Sequence, residues 1–258
     1  MSEIIIICLA ALITSLLTFF SGFGLGTILL PVFAIFFPVD LAIALTGIVH
    51  FLNNIFKLSL VGLKADWHVV LRFGVPAFLA ALLGAFILLR ISDLQPIYTY
   101  HLWSREYAIT PVKLIIAVLL ILFSLMEVMP YFKNLQFGKD KLIIGGILSG
   151  FFGGLSGHQG ALRSAFLIKS GLTKEAFIAT GIVIACIVDF SRLGVYITRF
   201  SKTGLHENLT LVIAATASAF IGAYIGSKLL KKVTMGTVQL IVIILLILIS
   251  IALGLGIV

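Results

Sequence analysis

Apolar stretches separated by short polar or glycine-rich breaks run along the whole chain, without the sustained alternation of a membrane β-barrel strand. Read between the breaks, the pattern predicts helical segments near 4–20, 23–37, 40–62, 68–90, 109–129, 141–155, 159–170, 174–199, 206–230 and 235–257. Several approach the ~20 apolar residues that cross a bilayer, among them "LIVIILLILISIALGLGIV" at 240–258. Pro38, Pro111 and the glycine-rich joints fit as segment boundaries. The first run follows only Met1, Ser2 and Glu3, with no basic region ahead of it and no small-residue cleavage site, so it is expected to remain as a helix. The longest mixed segment, 91–108, carries Tyr98, Tyr100, Trp103 and Tyr107, whose rings suit a membrane–water interface, and it is expected to be the connector between halves. The fold class this predicts is an all-α integral membrane protein.

The pattern repeats. "LTGIVHFLNNIFKL" (45–58) parallels "ATGIVIACIVDFSRL" (179–193), and "SGFGLGTILLP" (21–31) stands upstream of the first at nearly the offset that "SGHQGALRS" (156–164) has from the second. One transmembrane domain over 1–258 is therefore expected, built of repeats 1–130 and 141–258 joined by a short loop. Each repeat would hold two short segments flanking a glycine-rich joint and three longer ones. Whether the short pair spans separately or re-enters, it changes the crossing count by an even number, so each repeat crosses an odd number of times and the two are inverted. Inverted repeats with broken helices are the architecture of secondary transporters, whose substrates bind near the midplane.

Composition agrees with this reading. Of 258 residues, 61% are hydrophobic and 11% charged, against roughly 25% charged in soluble domains. The net charge of +8 then reads as loop Lys and Arg placed by the positive-inside rule, and no nucleic-acid partner is expected. Alternating the loops puts Lys64, Arg72, Lys133, Lys139, Lys141, Lys169, Lys174, Lys231 and Lys232 on one side and Arg90, Arg105, Lys113, Arg199 and Lys202 on the other. The first side is the better cytoplasmic face, with both termini outside a cell inner membrane. Cys8 and Cys186 sit in apolar segments without metal-ligand spacing, and no metal or cofactor is expected.

Irregular backbone inside a bilayer must be covered by protein or line a cavity. Gly22, Gly24 and Gly26 mark one such joint and Gly157 and Gly160 the other; a helix starting after each would turn its unpaired N–H groups and positive dipole end toward the joint, where an anion is favoured. "GGILSGFFGG" (145–154) has the small-xxx-small spacing of close helix packing. His50, Asn53, Asn54 and Lys57 fall on one helical face, as do Asp189, Arg192 and Tyr196, and Gln159 and Arg163 are four apart after the second joint. Such residues in spanning segments normally face a partner, the bundle interior or a watery path. For Lys57 and Arg192 snorkelling to the interface is the alternative. Glu127 lies near a helix end and reads as interfacial. Three candidate cations, Lys57, Arg163 and Arg192, oppose Asp189, so an anionic substrate is expected, with Asp189 pairing with Arg192 or Arg163 or, less favoured, carrying a proton. His50 and His158 could titrate near neutral pH, but they do not form a ligand set, and no nucleophile or carboxylate pair accompanies them. The expectation is that the chain is not an enzyme.

The joint "SGFGLGTILLP", its counterpart in the second half and the duplicated "TGIV" resemble the sulfite exporter TauE/SafE family, also called the toluenesulfonate uptake permease superfamily. The first joint is thinner in glycine than in many members, and the second adds a basic residue. The resemblance implies a multi-pass permease for sulfite or small organosulfonates such as sulfoacetate, working by alternating access. On that reading Arg163, with N–H groups after Gly160 and Gly26, holds the anionic head group. Gln159, His158, Asn53 and Asn54 add neutral hydrogen bonds, while Lys57 and Arg192 hold charge beside Asp189, with His50 a coupling or charge-pairing group. At about 100 mV inside-negative, export of one negative charge gains ~2.3 kcal/mol, so export could run uncoupled. An anion channel, or less favourably a membrane-embedded enzyme of sulfur or lipid metabolism, are the alternatives. The partners expected are the small anion and the lipid bilayer, and a homodimer is compatible with the pattern.

Overall fold

A computed structural model describes residues 2–18, 25–61, 64–102, 105–129, 136–200, 208–229 and 236–258. Ten α-helices appear among them: α1 (Ser2–Leu17), α2 (Leu25–Ala34), α3 (Val39–Val61), α4 (Trp67–Ser92), α5 (Pro111–Val128), α6 (Leu142–Ser156), α7 (Gly160–Leu167), α8 (Lys174–Phe200), α9 (Leu209–Leu229) and α10 (Gly236–Gly254). Each coincides with one segment expected from the apolar pattern. Four of them, α3, α4, α8 and α9, are long and apolar enough to cross a membrane. At 1.5 Å per residue, α2 and α7 reach only ~15 and ~12 Å, about half the ~30 Å hydrocarbon thickness or less. They are half-helices.

The segment expected to connect the halves, 91–108, carries strands that the sequence did not announce. It holds an antiparallel hairpin joining α4 to α5, β1 (Tyr98–Leu102) paired with β2 (Arg105–Ile109), Tyr100 opposite Tyr107. Its aromatic and β-branched residues favour a pleated strand. The Tyr100 ring stacks between those of Tyr98 (centroids 6.2 Å) and Tyr107 (5.5 Å). The Tyr100 hydroxyl donates to Leu255 O (2.7 Å) and Lys113 Nζ to Gly256 O (3.3 Å), fastening the turn after α10 to the hairpin and to the first turn of α5. Trp103 lies outside the described residues.

Helix α4 shows how the bundle is oriented toward lipid. Trp67, Leu71, Val75, Leu79, Leu83 and Phe86 form an exposed apolar stripe, while Phe73, Ala77, Ala81 and Ala85 are buried. The buried face lies on α6, where Gly146, Gly150 and Gly154 sit against the carbonyls of Phe73, Ala77 and Ala81. The small-xxx-small spacing is thus used for backbone-to-backbone contact, the form of helix association available when lipid tails are as apolar as the side chains. Gly84 of α4 approaches Phe151 O of α6, and Gly222 of α9 approaches Leu12 O of α1 in the same way.

The main helix contacts fall into matching sets, while a few smaller ones, among them α6 on α8 and α4 on α5, have no counterpart of like extent among the described residues. Helix α4 packs on α6 and α9 on α1; α4 touches α8 and α9 touches α3; α2 lies on α3 and α7 on α8; α3 crosses α8, and α5 lies on α10. Exchanging α1–α5 with α6–α10 maps every one of these main contacts onto another of them or onto itself. The consequence for the site is that α3 and α8, which carry the polar faces, meet each other in the middle.

Candidate functional site

The second joint is fully described. Helix α6 ends at Gly157, whose φ of +81° is the left-handed conformation that glycine adopts without a Cβ penalty. His158 and Gln159 follow, both buried, and α7 starts at Gly160. Ser149 of α6 donates to Gln159 O (3.1 Å), which fixes the joint against the helix that leads into it. Of the first joint, Gly22 and Gly24 lie outside the described residues. Gly26, in the first turn of α2, is buried against the second joint: a Cβ there would stand 3.5 Å from Gly157 O. The two half-helices therefore begin beside one another.

The polar faces of α3 and α8 turn inward together. His50, Asn53, Asn54 and Lys57 are all buried, as are Asp189, Arg192 and Tyr196. Neither Lys57 nor Arg192 snorkels; their exposures are 5% and 1%. Asp189 is the hub. Its Oδ1 accepts from Arg192 Nε (3.0 Å) and Gln159 Nε2 (3.3 Å) and lies 2.8 Å from Arg192 Nη2, while Oδ2 lies 2.5 Å from His50 Nδ1. Arg163 Nη1 donates to Gln159 Oε1 (3.1 Å), so Arg163 reaches the carboxylate through Gln159. Of the two pairings open to Asp189, the direct one is with Arg192. Arg163 is only partly buried, in contrast to the depth expected of it, because it lies a full turn beyond the joint on an eight-residue helix.

Two glycines make the seat of Arg192. A Cβ at Gly47 of α3 would lie 3.3 Å from its Cζ, and one at Gly157 would lie 2.9 Å from its Nη1. Gly181, which occupies the place of Gly47 in the second "TGIV", has Arg163 Nε as its nearest neighbour, 3.6 Å from the equivalent position. Each copy of the motif thus clears room for an arginine. This explains the duplicated glycine, whose role was not assigned from the sequence; the repetition of the tetrapeptide was the available signal. Gly47→Ala is expected to shift the guanidinium by a few tenths of an ångström, costing about 1 kcal/mol and roughly fivefold in anion affinity, with the protein still folded by thermal unfolding in detergent.

Several buried polar atoms near the joints make no hydrogen bond to any described residue: Arg192 Nη1, His158 Nε2 and Asn53 Nδ2. His158 is otherwise well held, its Nδ1 lying 3.2 Å from Ser156 Oγ and its ring stacked on Phe123 (centroids 5.6 Å, 4° between planes). Asn53 Oδ1 accepts from Ser15 of α1 (3.1 Å), a partner that the sequence reading did not name. Lys57 is close enough to Arg163 for the two cations to repel. Three basic side chains, Lys57, Arg163 and Arg192, thus stand near one carboxylate, an excess of positive charge that an anion would relieve. Among the described residues no group of three or more His, Cys, Asp or Glu could hold a metal ion.

The sulfite exporter TauE/SafE family model matches residues 7–253. The chain belongs to that family. The match takes in both joints, both TGIV motifs and all ten helices in whole or in greater part, so the transporter is a family member over its whole bundle rather than in one segment. No curated protein and no solved structure matches the transporter.

Proposed function

We propose that the protein exports sulfite or small organosulfonates such as sulfoacetate, binding the anion where the two half-helices begin. The observation that carries this reading is Arg192 Nη1. It belongs to a buried guanidinium that also interacts with Tyr196, makes no hydrogen bond of normal geometry to a described residue, and stands against the backbone of a broken helix at Gly157. Leaving such a donor unpaired is costly, and a sulfur oxyanion fits its planar fork. Ser156 Oγ gives its hydrogen to Phe152 O, so His158 Nδ1–H donates to Ser156, and Nε2 of the neutral ring is an acceptor, free to take a proton from a hydrated or protonated anion. Asn53 Nδ2 is a buried neutral donor on the α3 face, and the first turns of α2 and α7 supply N–H groups after Gly26 and Gly160. Arg163, Gln159, Asn54 and Lys57 complete the surroundings, with Arg163 on the more open side.

The exchange of α1–α5 with α6–α10, which carries the main helix contacts onto one another, supports two repeats over 1–130 and 141–258, and the odd number of crossings in each argues that they are inverted. Rocking of one repeat against the other would expose the site alternately to the two sides. The loop charges favour an inner-membrane protein with both termini outside. Lys133, Lys202, Lys231 and Lys232, which enter that count, lie outside the described residues, as does the side chain of Arg199.

A binding screen of sulfite, sulfoacetate, taurine, sulfate and carboxylate analogues tests the assignment. Arg163→Ala is expected to weaken the tightest ligand by about 2 kcal/mol, the worth of one charged hydrogen bond, or roughly 30-fold. Arg163→Lys also weakens it, since lysine keeps the charge and loses the fork. Equal binding by wild type and Arg163→Ala removes Arg163 from the site. In liposomes, saturable flux supports a carrier, near-ohmic current a channel, and formation of a new product an enzyme.

A further inference from the structure

We infer that the His50–Asp189 pair is a proton site, and that one proton enters with each anion that binds at Arg192. This rests on the anion reading of Arg192 and adds the coupling ion to it. The geometry divides one carboxylate between two different cationic partners. Oδ1 is held by Arg192, whose charge is fixed, through Nε at 3.0 Å and Nη2 at 2.8 Å. Oδ2 is held by His50, whose charge depends on a proton, at 2.5 Å. Asp189 is 0% and His50 4% exposed, so neither charge is screened by water.

Among the described residues, the titratable and charged groups that bear on this pair are Arg192, Tyr196 and Cys186 from α8, Lys57 from the same helix as His50, and Arg163 from α7; His158, at the joint, bears on Arg192. The Arg192 charge matches Asp189, and Lys57 and Arg192 both repel a further positive charge on His50. The Asn54 amide nitrogen lies 3.2 Å from His50 Nδ1 and 3.4 Å from Nε2. With Nδ1–H donating to Asp189 the ring is singly protonated and Nε2 is its open nitrogen, the Asn54 amide lying beside the ring; this tautomer is assigned from the Asp189 contact.

An anion on Arg192 Nη1 changes the balance. One guanidinium then lies between two negative charges, and His50 is the titratable group already bonded to the one left short. A proton from water binds Nε2, leaving hydroxide or the conjugate base of the buffer behind, and Asn54 turns its carbonyl oxygen toward the new N–H. The resulting imidazolium is neutralised by Asp189 while Arg192 serves the anion. On the far side the anion leaves, the repulsion from Lys57 and Arg192 returns, and Nε2 gives its proton back to water. The linkage is reciprocal, so a proton on His50 strengthens anion binding by the factor with which the anion strengthens proton binding. A sulfonate does not itself take up a proton near neutral pH, so the protein has to carry it. Movement of a monovalent sulfonate is then electroneutral, and its direction follows the anion and proton gradients together rather than the membrane potential.

The test uses the purified full-length protein in detergent, lightly buffered near neutral pH with an indicator dye, and methanesulfonate as probe. Binding is measured in parallel by calorimetry. The expected result is uptake of about one proton per bound anion, with uptake per bound anion lost in His50→Gln, whose remaining binding is weaker and insensitive to pH. Methanesulfonate binding to wild type without proton uptake overturns the coupling and leaves the anion site standing; this arm depends on no variant. Unchanged uptake per bound anion in His50→Gln overturns the assignment to His50. Absence of binding by wild type overturns the sulfonate reading of the site, and the coupling with it.

Discussion

Replacing Arg192 with alanine is expected to reduce anion affinity by about 3 kcal/mol, the order found for truncating one side of a buried charge pair, or roughly 100-fold. The same change should destabilise the protein. Asp189 is entirely buried, and Arg192 supplies two of the nitrogens at its Oδ1; a buried charge stripped of its partner costs about 3–5 kcal/mol. The two effects can be separated. Asp189→Asn combined with Arg192→Ala removes both charges, so thermal stability in detergent should recover toward wild type while anion affinity does not. Recovery of both would mean that Arg192 serves the fold alone and that the anion binds elsewhere. Arg192→Lys should keep part of the stability and little of the affinity, because an ammonium cannot donate to Asp189 and to an anion through a rigid fork.

The second large effect is expected from Gly150→Leu. At this position even a Cβ would fall 2.5 Å from Ala77 Cα and closer still to Ala77 O, so α4 and α6 would have to separate. Backbone cannot swing aside as a side chain can. Overpacking by a single methylene typically costs about 1–3 kcal/mol, and a leucine against backbone should exceed the upper figure, seen as a collapse of the unfolding temperature and of the folded yield. Because α6 ends at Gly157, the displacement also moves the joint, and anion binding should disappear in whatever protein remains folded. Gly194→Ala in α8 is the control. Nothing lies within 4 Å of its Cβ position, and alanine is the better helix former by roughly 0.5–1 kcal/mol, so stability should hold or rise. Equal tolerance of the two substitutions would show that the α4–α6 contact is looser than described.

Much of this architecture could be read before any coordinates. The ten helices follow from where apolar runs stop, because a chain in hydrocarbon must satisfy its backbone within each segment and punctuation is therefore sharp. Pro38 and Pro111 fall at helix starts as expected. The hairpin at 98–109 escaped, since a short two-stranded ribbon of mixed residues leaves no long periodic signal. At the site, helical spacing placed His50 with Lys57 and Asp189 with Arg192 on shared faces, and those faces are the buried ones. Spacing within a helix cannot say which residue of one face meets which residue of another.

That boundary separates two kinds of information. Membrane residence, helix number, the duplicated joints and the excess of buried positive charge are properties of composition and local order, so they are written along the chain. The pairing of His50 with Asp189, 139 positions apart, and the seating of Arg192 between Gly47 and Gly157 arise only when α3, α6 and α8 cross. The surroundings of the two arginines belong to the same class. Arg163 stood nearest the joint in sequence and drew the stronger expectation, yet it is Arg192, 35 positions beyond Gly157 in the numbering, whose fork is carried back to the joint and left with a donor to spare. Burial and free hydrogen-bonding capacity depend on what surrounds a group in space, and for side chains on different helices that is decided by packing.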